Sequence, residues 1–366
     1  MFGFLPRQTR LLTRVTVAPG PATMSLTAQI KTAALAQGFD VVGVAAVDAG
    51  PPTGDSAETS LPTQLRARLS AWLSAGYHAT MAWMTRTPER RADPRLVLPG
   101  CRAVIVVGLN YDSGAHPDEG PGMGRIARYA WGRDYHLTMG DRLTRLTETL
   151  TTLAPEASHK WYVDTGPVME KAWAQQAGVG WIGKHSNLVS AEHGSWLVLG
   201  VILTTLPLTP DPPGTDLCGT CTLCLQACPT EAMPTPYVVD ARRCLSYLTI
   251  EHRGADLPPD LARDIGTHLF GCDDCLDVCP YNTQATPSTD PAWAPRVWTL
   301  RPALAELSSW NEPEFLARTV ESPIRRTRYA GFQRNLRLVQ DQIGQPATDH
   351  TPPATRPVDP GKPRGV

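Results

Sequence analysis

No stretch of this chain approaches the ~18 consecutive apolar residues that span a membrane. The longest apolar segment, SWLVLGVILTTLPL at 195–208, is broken by Gly200 and reads as a strand. Charge of either sign is scarcely in excess: 34 Lys and Arg against 35 Asp and Glu give a formal net charge of -1. The chain has no global positive field, so any contact with a nucleic acid must come from a local basic patch. Cysteine is nearly missing from residues 1–217, where Cys101 stands alone before an apolar run and reads as a buried bystander. No C-x3-C-x2-C run occurs, which excludes a radical enzyme using S-adenosylmethionine.

The other eight cysteines crowd into 218–279. CGTCTLCLQACP at 218–229 has the spacing C-x2-C-x2-C-x3-C-P, and the pattern returns in stretched form as Cys244, Cys272, Cys275 and Cys279 with Pro280. Two copies supply the ligands that two four-iron clusters require. In two-cluster ferredoxins the fourth cysteine of each run reaches across to the other cluster. By that rule Cys218, Cys221, Cys224 and Cys279 hold one 4Fe-4S cluster, and Cys228, Cys244, Cys272 and Cys275 hold the second. Zinc and disulfides are the weaker readings. Structural zinc favours two C-x2-C pairs, and a disulfide framework belongs to secreted chains, for which no signal is legible here.

Helical patterns alternate with short β-branched runs over 26–208: helices at 26–38, 62–75, 134–153 and 167–177, and strands at 40–47, 103–111, 160–164 and 196–205. The expected organisation is an α/β (α+β) domain at 24–208, a ferredoxin-like domain at 209–288 and a short α-helical C-terminal region at 289–343. Residues 209–288 carry too little apolar sequence for an independent core. Residues 1–23 read as an over-extended start, because Met24 precedes a well-capped helix. Residues 344–366, with six prolines, read as a disordered tail.

Three motifs in the first domain fall short of their patterns. GVGWIG at 178–183 matches G-x-G-x-x-G but follows a helix where a strand is needed, and GVGWIGKH resembles a P-loop with His185 in place of Ser or Thr. DYHLTMG at 134–140 approaches the Asp-x-His-x-x-Gly of cobalt-ligating histidines with its glycine one residue late, which leaves His136 as a helix-surface histidine. WYVDTGP at 161–167 puts Asp164 at the end of an expected strand, where open α/β sheets gather ligands. Desolvated there, its carboxyl could donate a proton; the same residues also make a good helix start, with Pro167 at the first position.

RRADPRLVLPG (90–100), ARYAWGRDYH (127–136), VDTGPVMEKAWAQQAGVGWIGKHSN (163–187), RCLSYLTIEHRG (243–254) and FGCDDCLDVCP (270–280) together closely resemble epoxyqueuosine reductases over roughly residues 25–340. The resemblance implies a cobalamin-binding first domain and a chain that reduces the epoxide of epoxyqueuosine at the tRNA wobble position to give queuosine. It implies cobalamin bound with its own base displaced, two 4Fe-4S clusters, an external low-potential electron donor, a monomer and a cytoplasmic location. It assigns Asp164 as proton donor and puts Arg91, Lys184, Asn187, Ser246 and Asp273 near the cobalamin, with the GVGWIGKHSN loop against the corrin.

SPIRRTRYAGFQRNLRLV at 322–339 holds Arg325, Arg326, Arg328, Arg334 and Arg337 without one acid, and Tyr329 and Phe332 between them. Alone it reads as a phosphate-contacting patch or a solvated helix face; the tRNA substrate that the family implies favours contact. A reductive dehalogenase is the expected alternative, sharing the cofactors but lacking a use for these arginines. An electron-transfer module is the non-catalytic one.

Overall fold

The computed structural model of the chain describes residues 24–48 and 60–343; the expected start at 1–23 and tail at 344–366 lie outside the described residues. Helix α1 (Leu26–Ala36), with Ser25 accepting the Ala28 N–H, leads into strand β1 (Val41–Ala46). Helices α2 (Leu61–Ser74) and α3 (Pro88–Ala92) precede β2 (Ala103–Asn110) and the short β3 (Arg125–Ile126). Then come α4 (Tyr135–Leu153), β4 (His159–Tyr162) and α5 (Glu170–Gln176). Strands β5 (Trp181–Ile182) and β6 (Leu188–Val189) pair as a small hairpin before β7 (Leu197–Thr204).

The main sheet has the order β1-β2-β7-β4, and every neighbouring pair is antiparallel. Side chains alternate between its two faces. From β2, Ala103, Ile105, Val107 and Leu109 pack with Ile30 of α1 and Met139, Leu143, Leu146 and Leu150 of α4. Val104 and Val106 point the other way, into a core with Leu61 and Leu65 of α2 and Trp173 of α5. All eight β2 residues are buried, which explains an apolar run with no polar face. Gly43 is required in β1, since a Cβ there would lie 2.1 Å from the Ala177 carbonyl oxygen. Cys101 is buried, and desolvation pushes its thiol up to about 11.

The elements match their expected positions closely, but the antiparallel sheet removes the argument drawn from open parallel sheets. Asp164 sits two residues beyond the edge strand β4, and α5 begins at Glu170 rather than 167. The bend between them keeps Pro167 out of the helix.

The cysteine segment contributes α6 (Leu223–Gln226), α7 (Leu245–Ile250), α8 (Pro259–Arg263), β8 (His268–Phe270) and α9 (Asp274–Asp277). It is followed by α10 (Val297–Leu300), α11 (Leu304–Ser308), α12 (Glu312–Arg318) and α13 (Arg328–Ile343). These regions share their cores. Strand β8 pairs in parallel with β3, and Ile126, Trp131, Phe270, Leu307, Phe315 and Phe332 form one cluster that joins parts of all three expected regions. A smaller core around Leu245, Leu248, Leu261 and Ile265 forms inside 209–288 but draws in Met81 and Leu338 from outside it.

Helix α13 corrects one expectation. Arg334 is buried, not a surface cation: its guanidinium donates to the carbonyls of Leu248 (2.7 Å), His252 (2.9 Å) and Gly254 (3.1 Å) and to Asn335 Oδ1. It ties α13 to α7 and is unavailable to a phosphate. Among the described residues no helix is long and apolar enough to cross a membrane.

Candidate active site

Asp164 has φ +53°, a left-handed conformation that Asp tolerates better than most residues because it is short and polar. The bend turns its carboxylate toward the start of α4. There the Tyr135 hydroxyl donates to Asp164 Oδ2 at 2.6 Å, and His136 Nε2 lies 3.8 Å from the same oxygen. Tyr135 stacks on His136 with ring centroids 4.1 Å apart. Asp134 caps α4 by accepting the His136 backbone N–H, and its Oδ1 is 2.8 Å from His136 Nδ1. Burial alone would raise the Asp134 carboxyl, but its hydrogen bonds with His136 bring it below its ordinary value. An ionised Asp134 requires a proton on Nδ1, so Nε2 is the nitrogen that faces Asp164. Burial, and then the charge of Asp164, hold the Tyr135 phenol far above its usual range, so it stays a donor.

The first turn of α5 adds two groups. Burial raises the Glu170 carboxyl to about 7, with the Asp164 charge adding to the effect, and Oε1 has no hydrogen-bond partner. Lys171 is solvent-accessible yet ringed by protein. Its ammonium donates to Ser186 O (3.0 Å) and Asn187 Oδ1 (2.7 Å). Desolvation lowers the Lys171 pKa against the pull of Asp164, Glu170 and the thiols of Cys275 and Cys244. Lys171 thus feels both Asp164 and the thiols of the second cysteine motif.

All nine cysteines are free thiols. Thiols of the two cysteine motifs lie close enough to act on one another, Cys275 feeling Cys224 of the first motif as well as Cys244 and Cys228. Burial, and then Cys279, Cys218 and Cys221, push Cys224 up to about 11. Burial, and then Cys244 and Cys228, raise Cys275 well above its ordinary value, and Cys272 is raised by burial and by the nearby charges of Asp274, Cys275 and Cys244. Helices α6 and α9 pack together, bringing the two motifs side by side. Thiols driven up this way favour deprotonation only when a metal takes the proton's place, which is the donor chemistry an iron–sulfur cluster needs.

The other residues expected near the cobalamin are spread around this centre. The Arg91 guanidinium lies over Trp83 at 5.1 Å and reaches Gly166 O at 3.4 Å, with Nε left unpaired. Asn187 is engaged by Lys171. Ser246 is in the first turn of α7; burial raises the Cys244 thiol, and the backbone N–H groups of Tyr247 and Ser246 offset part of that rise. Asp273 is buried; it accepts the Arg128 N–H at 2.7 Å, and desolvation raises it to about 6. Lys184 is committed elsewhere, donating to the carbonyls of Gly219 (2.6 Å) and Cys221 (2.8 Å) in the first cysteine loop.

Four of the five arginines remain exposed. Arg326 forks onto Glu251 at 2.7 and 3.1 Å and feels the charges of Asp164 and Tyr135, so the basic segment borders the acid network. Arg337 pairs with Asp256. Tyr135, His136, Glu170 and Lys171 were not singled out as site residues from sequence. The available signal was an Asp-Tyr-His run at a helix start, where a capping acid also orients a ring.

A proton-handling network in a chain with two cysteine motifs spaced to ligate iron–sulfur clusters defines a class, the iron–sulfur oxidoreductases. Comparison with known proteins narrows it. The family model described as "4Fe-4S double cluster binding domain" matches residues 217–282, and "Epoxyqueuosine reductase QueG, DUF1730" matches 91–165. Among curated proteins, the epoxyqueuosine reductase of Synechococcus sp. (strain CC9605) is 43% identical over 317 residues, covering 86% of this chain and 94% of that one. That of Escherichia coli (strain K12) is 38% identical over 330 residues, covering 89% and 83%. A selenomethionine-labelled epoxyqueuosine reductase crystal structure superposes with a TM-score of 0.77 at 30% identity, over 86% of this chain and 81% of its own. One solved with an epoxyqueuosine-modified tRNA-Tyr stem loop gives 0.75 at 29%, over 86% and 80%. The chain belongs to the epoxyqueuosine reductase family.

Proposed function

We propose that this chain reduces epoxyqueuosine at the wobble position of tRNA to queuosine. The observation that carries the reading is Asp164, hydrogen-bonded by Tyr135 with His136 behind it, in a chain that also carries the two cysteine motifs. The relatives bear the reductase name, and one solved relative holds the modified stem loop.

Loss of the epoxide oxygen as water takes two electrons and two protons and leaves a carbon–carbon double bond. Cys218, Cys221, Cys224 and Cys279 hold one 4Fe-4S cluster in this proposal, and Cys228, Cys244, Cys272 and Cys275 hold the other, passing electrons one at a time from an external low-potential donor. Cobalamin, when bound with its base displaced, supplies a strongly reducing low-valent cobalt. The unpaired Arg91 Nε and Glu170 Oε1, on side chains that feel the charge of Asp164, and Ser186 Oγ, on the residue that holds Lys171, are polar atoms that the amide-rich edge of a corrin would satisfy, so the residues present fit the group. Asn187, Ser246 and Asp273 lie on the surrounding elements, while Lys184 serves the cluster loop.

Asp164 donates a proton to the epoxide oxygen as the carbon–oxygen bond breaks. Tyr135 fixes the direction of its carboxyl. Asp164 is exposed and takes the proton for the second transfer from solvent, while His136, its tautomer set by Asp134, turns Nε2 toward it. A wobble base in a single-stranded loop can leave its stack at modest cost, and Arg325, Arg326, Arg328 and Arg337 meet the flanking phosphates. We expect a cytoplasmic monomer, in keeping with the proposed tRNA substrate.

The test is nucleoside mass spectrometry of epoxyqueuosine-containing tRNA after anaerobic incubation with iron-loaded protein and a low-potential reductant, with and without cobalamin. Conversion to queuosine only with cobalamin is the expected result. No conversion by protein carrying both clusters and cobalamin would overturn the reading.

A further inference from the structure

The glycine-rich GVGWIGKH is neither a dinucleotide nor a phosphate loop. Gly178, at φ +72°, ends α5, and Gly180 has no room for a side chain, since a Cβ would lie 2.2 Å from Val189 O across the β5–β6 hairpin. The glycines let the hairpin close tightly. What the hairpin then presents is Trp181 and Lys184, and both reach the first cysteine motif.

Trp181 is buried, and its indole N–H donates to Cys218 Sγ at 3.4 Å. Its ring meets Tyr281 edge-on, centroids 4.8 Å apart at 79°, and Tyr281 follows Cys279 and Pro280. The indole is therefore held from both ends of the same thiol group. Lys184 grips the Gly219 and Cys221 carbonyls through Nζ, and its own carbonyl accepts the Tyr237 N–H at 2.9 Å. Tyr237 completes the circuit: its hydroxyl donates to Asp216 Oδ2 at 2.6 Å, while Asp216 Oδ1 accepts the Cys218 N–H at 2.8 Å. Leu217, Gly219 and Thr220 are exposed, so water screens this loop except on the side the hairpin covers.

We infer that the β5–β6 hairpin is the tuning element of the first cluster: Trp181, by its hydrogen bond to Cys218, and Lys184, by its charge on the loop, raise that cluster's reduction potential. The reason is electrostatic. Reduction adds negative charge to the cluster, and a donor aimed at a ligand sulfur or a nearby cation stabilises the reduced state more than the oxidised one. The inference rests on Cys218, Cys221, Cys224 and Cys279 holding a cluster. It adds a role for two residues outside the cysteine motifs.

The experiment is an anaerobic redox titration of the full, iron-loaded chain followed by electron paramagnetic resonance, with iron counted in every sample. Trp181→Phe keeps the packing on Tyr281 and removes the N–H. Lys184→Met removes the charge, and Lys184→Arg keeps it. Trp181→Phe and Lys184→Met should each make one of the two one-electron steps harder by about tenfold in the reduced-to-oxidised ratio, which is 59 mV for one electron. The other step should stay in place as an internal reference, and Lys184→Arg should titrate like the wild type. Unchanged potentials in Trp181→Phe and Lys184→Met at full iron content would overturn the inference. So would full wild-type potentials in whatever fraction of a poorly loaded Lys184→Met retains both clusters, which would make that lysine a brace only. If the wild type itself fails to hold two clusters, the cluster reading falls and this inference with it.

Discussion

Replacing Arg334 with Met should destabilise the fold rather than weaken its hold on RNA. The wild-type guanidinium serves three backbone carbonyls and the Asn335 side chain at 2.7–3.1 Å, and the residue is 4% exposed. Methionine fills much of the volume but donates nothing, so the Leu248, His252 and Gly254 carbonyls lose their partner. A buried acceptor left unsatisfied costs about 1–3 kcal/mol. With three acceptors, and some relief from water reaching the site, the loss is about 3–5 kcal/mol, in line with breaking a buried charged network. Differential scanning fluorimetry of the iron-loaded protein should show Tm lower by roughly 10 °C. Arg337→Met is the control. Its pair with Asp256 is exposed on both sides, 54% and 74%, and an exposed pair contributes about 0–1 kcal/mol. Arg337→Met should leave Tm nearly unchanged while weakening tRNA binding and reducing its salt dependence by about one phosphate contact. An Arg334→Met protein that melts like the wild type and binds tRNA poorly would refute this reasoning and restore Arg334 to the RNA surface.

Arg328 carries a different signature: φ +61° and ψ 163°, a region that costs a residue other than glycine about 1–3 kcal/mol. Arg328→Gly should therefore raise Tm or leave it unchanged while lowering tRNA affinity, measured by filter binding across salt concentrations; a lower Tm with unchanged affinity would contradict this. Glu170 sets a pH dependence. Its folded-state carboxyl is raised from the ordinary 4.5 to about 7, so the folded chain holds that proton more tightly than the unfolded one. The resulting stability is full below pH 4.5 and is lost as pH rises to about 7. Glu170→Gln removes this dependence. Relative to the variant, the wild type should lose about 3 kcal/mol across that window in chemical denaturation; a constant difference would show that the carboxyl is not desolvated.

Local periodicity in the sequence was enough to outline most elements of the first domain. The unbroken apolar run of β2 and the 3.6-residue stripe of α4 report burial directly, so their bounds come within a residue or two. Strand order and direction do not follow from such patterns. The β3–β8 pairing joins residues 125–126 to 268–270, a contact no local signal encodes. The eight cysteines were legible because ligand spacing is itself the chemistry. The arginines of α13 were legible as a charge run but not as a surface. Arg334 flanks the buried stripe of Phe332, Asn335, Leu336 and Val339, and only the carbonyls of α7 and the turn after it decide that it points inward. The place of Asp164 after a strand left its role open, the sheet type behind that argument was mistaken, and it was the family resemblance that singled it out. His136 and Tyr135 lay nearly thirty positions away in sequence, and their meeting with Asp164 is a tertiary fact.

The most direct test of the proton-donor role is turnover by Asp164→Asn, measured as queuosine formed per chain by nucleoside mass spectrometry on protein shown to retain its iron and cobalamin. The amide keeps the shape and still accepts from Tyr135 but cannot supply the proton. Turnover should fall by about 10²–10⁴-fold with both cofactors in place. Turnover within a few-fold of the wild type would contradict the account and move the proton source to another residue of the network.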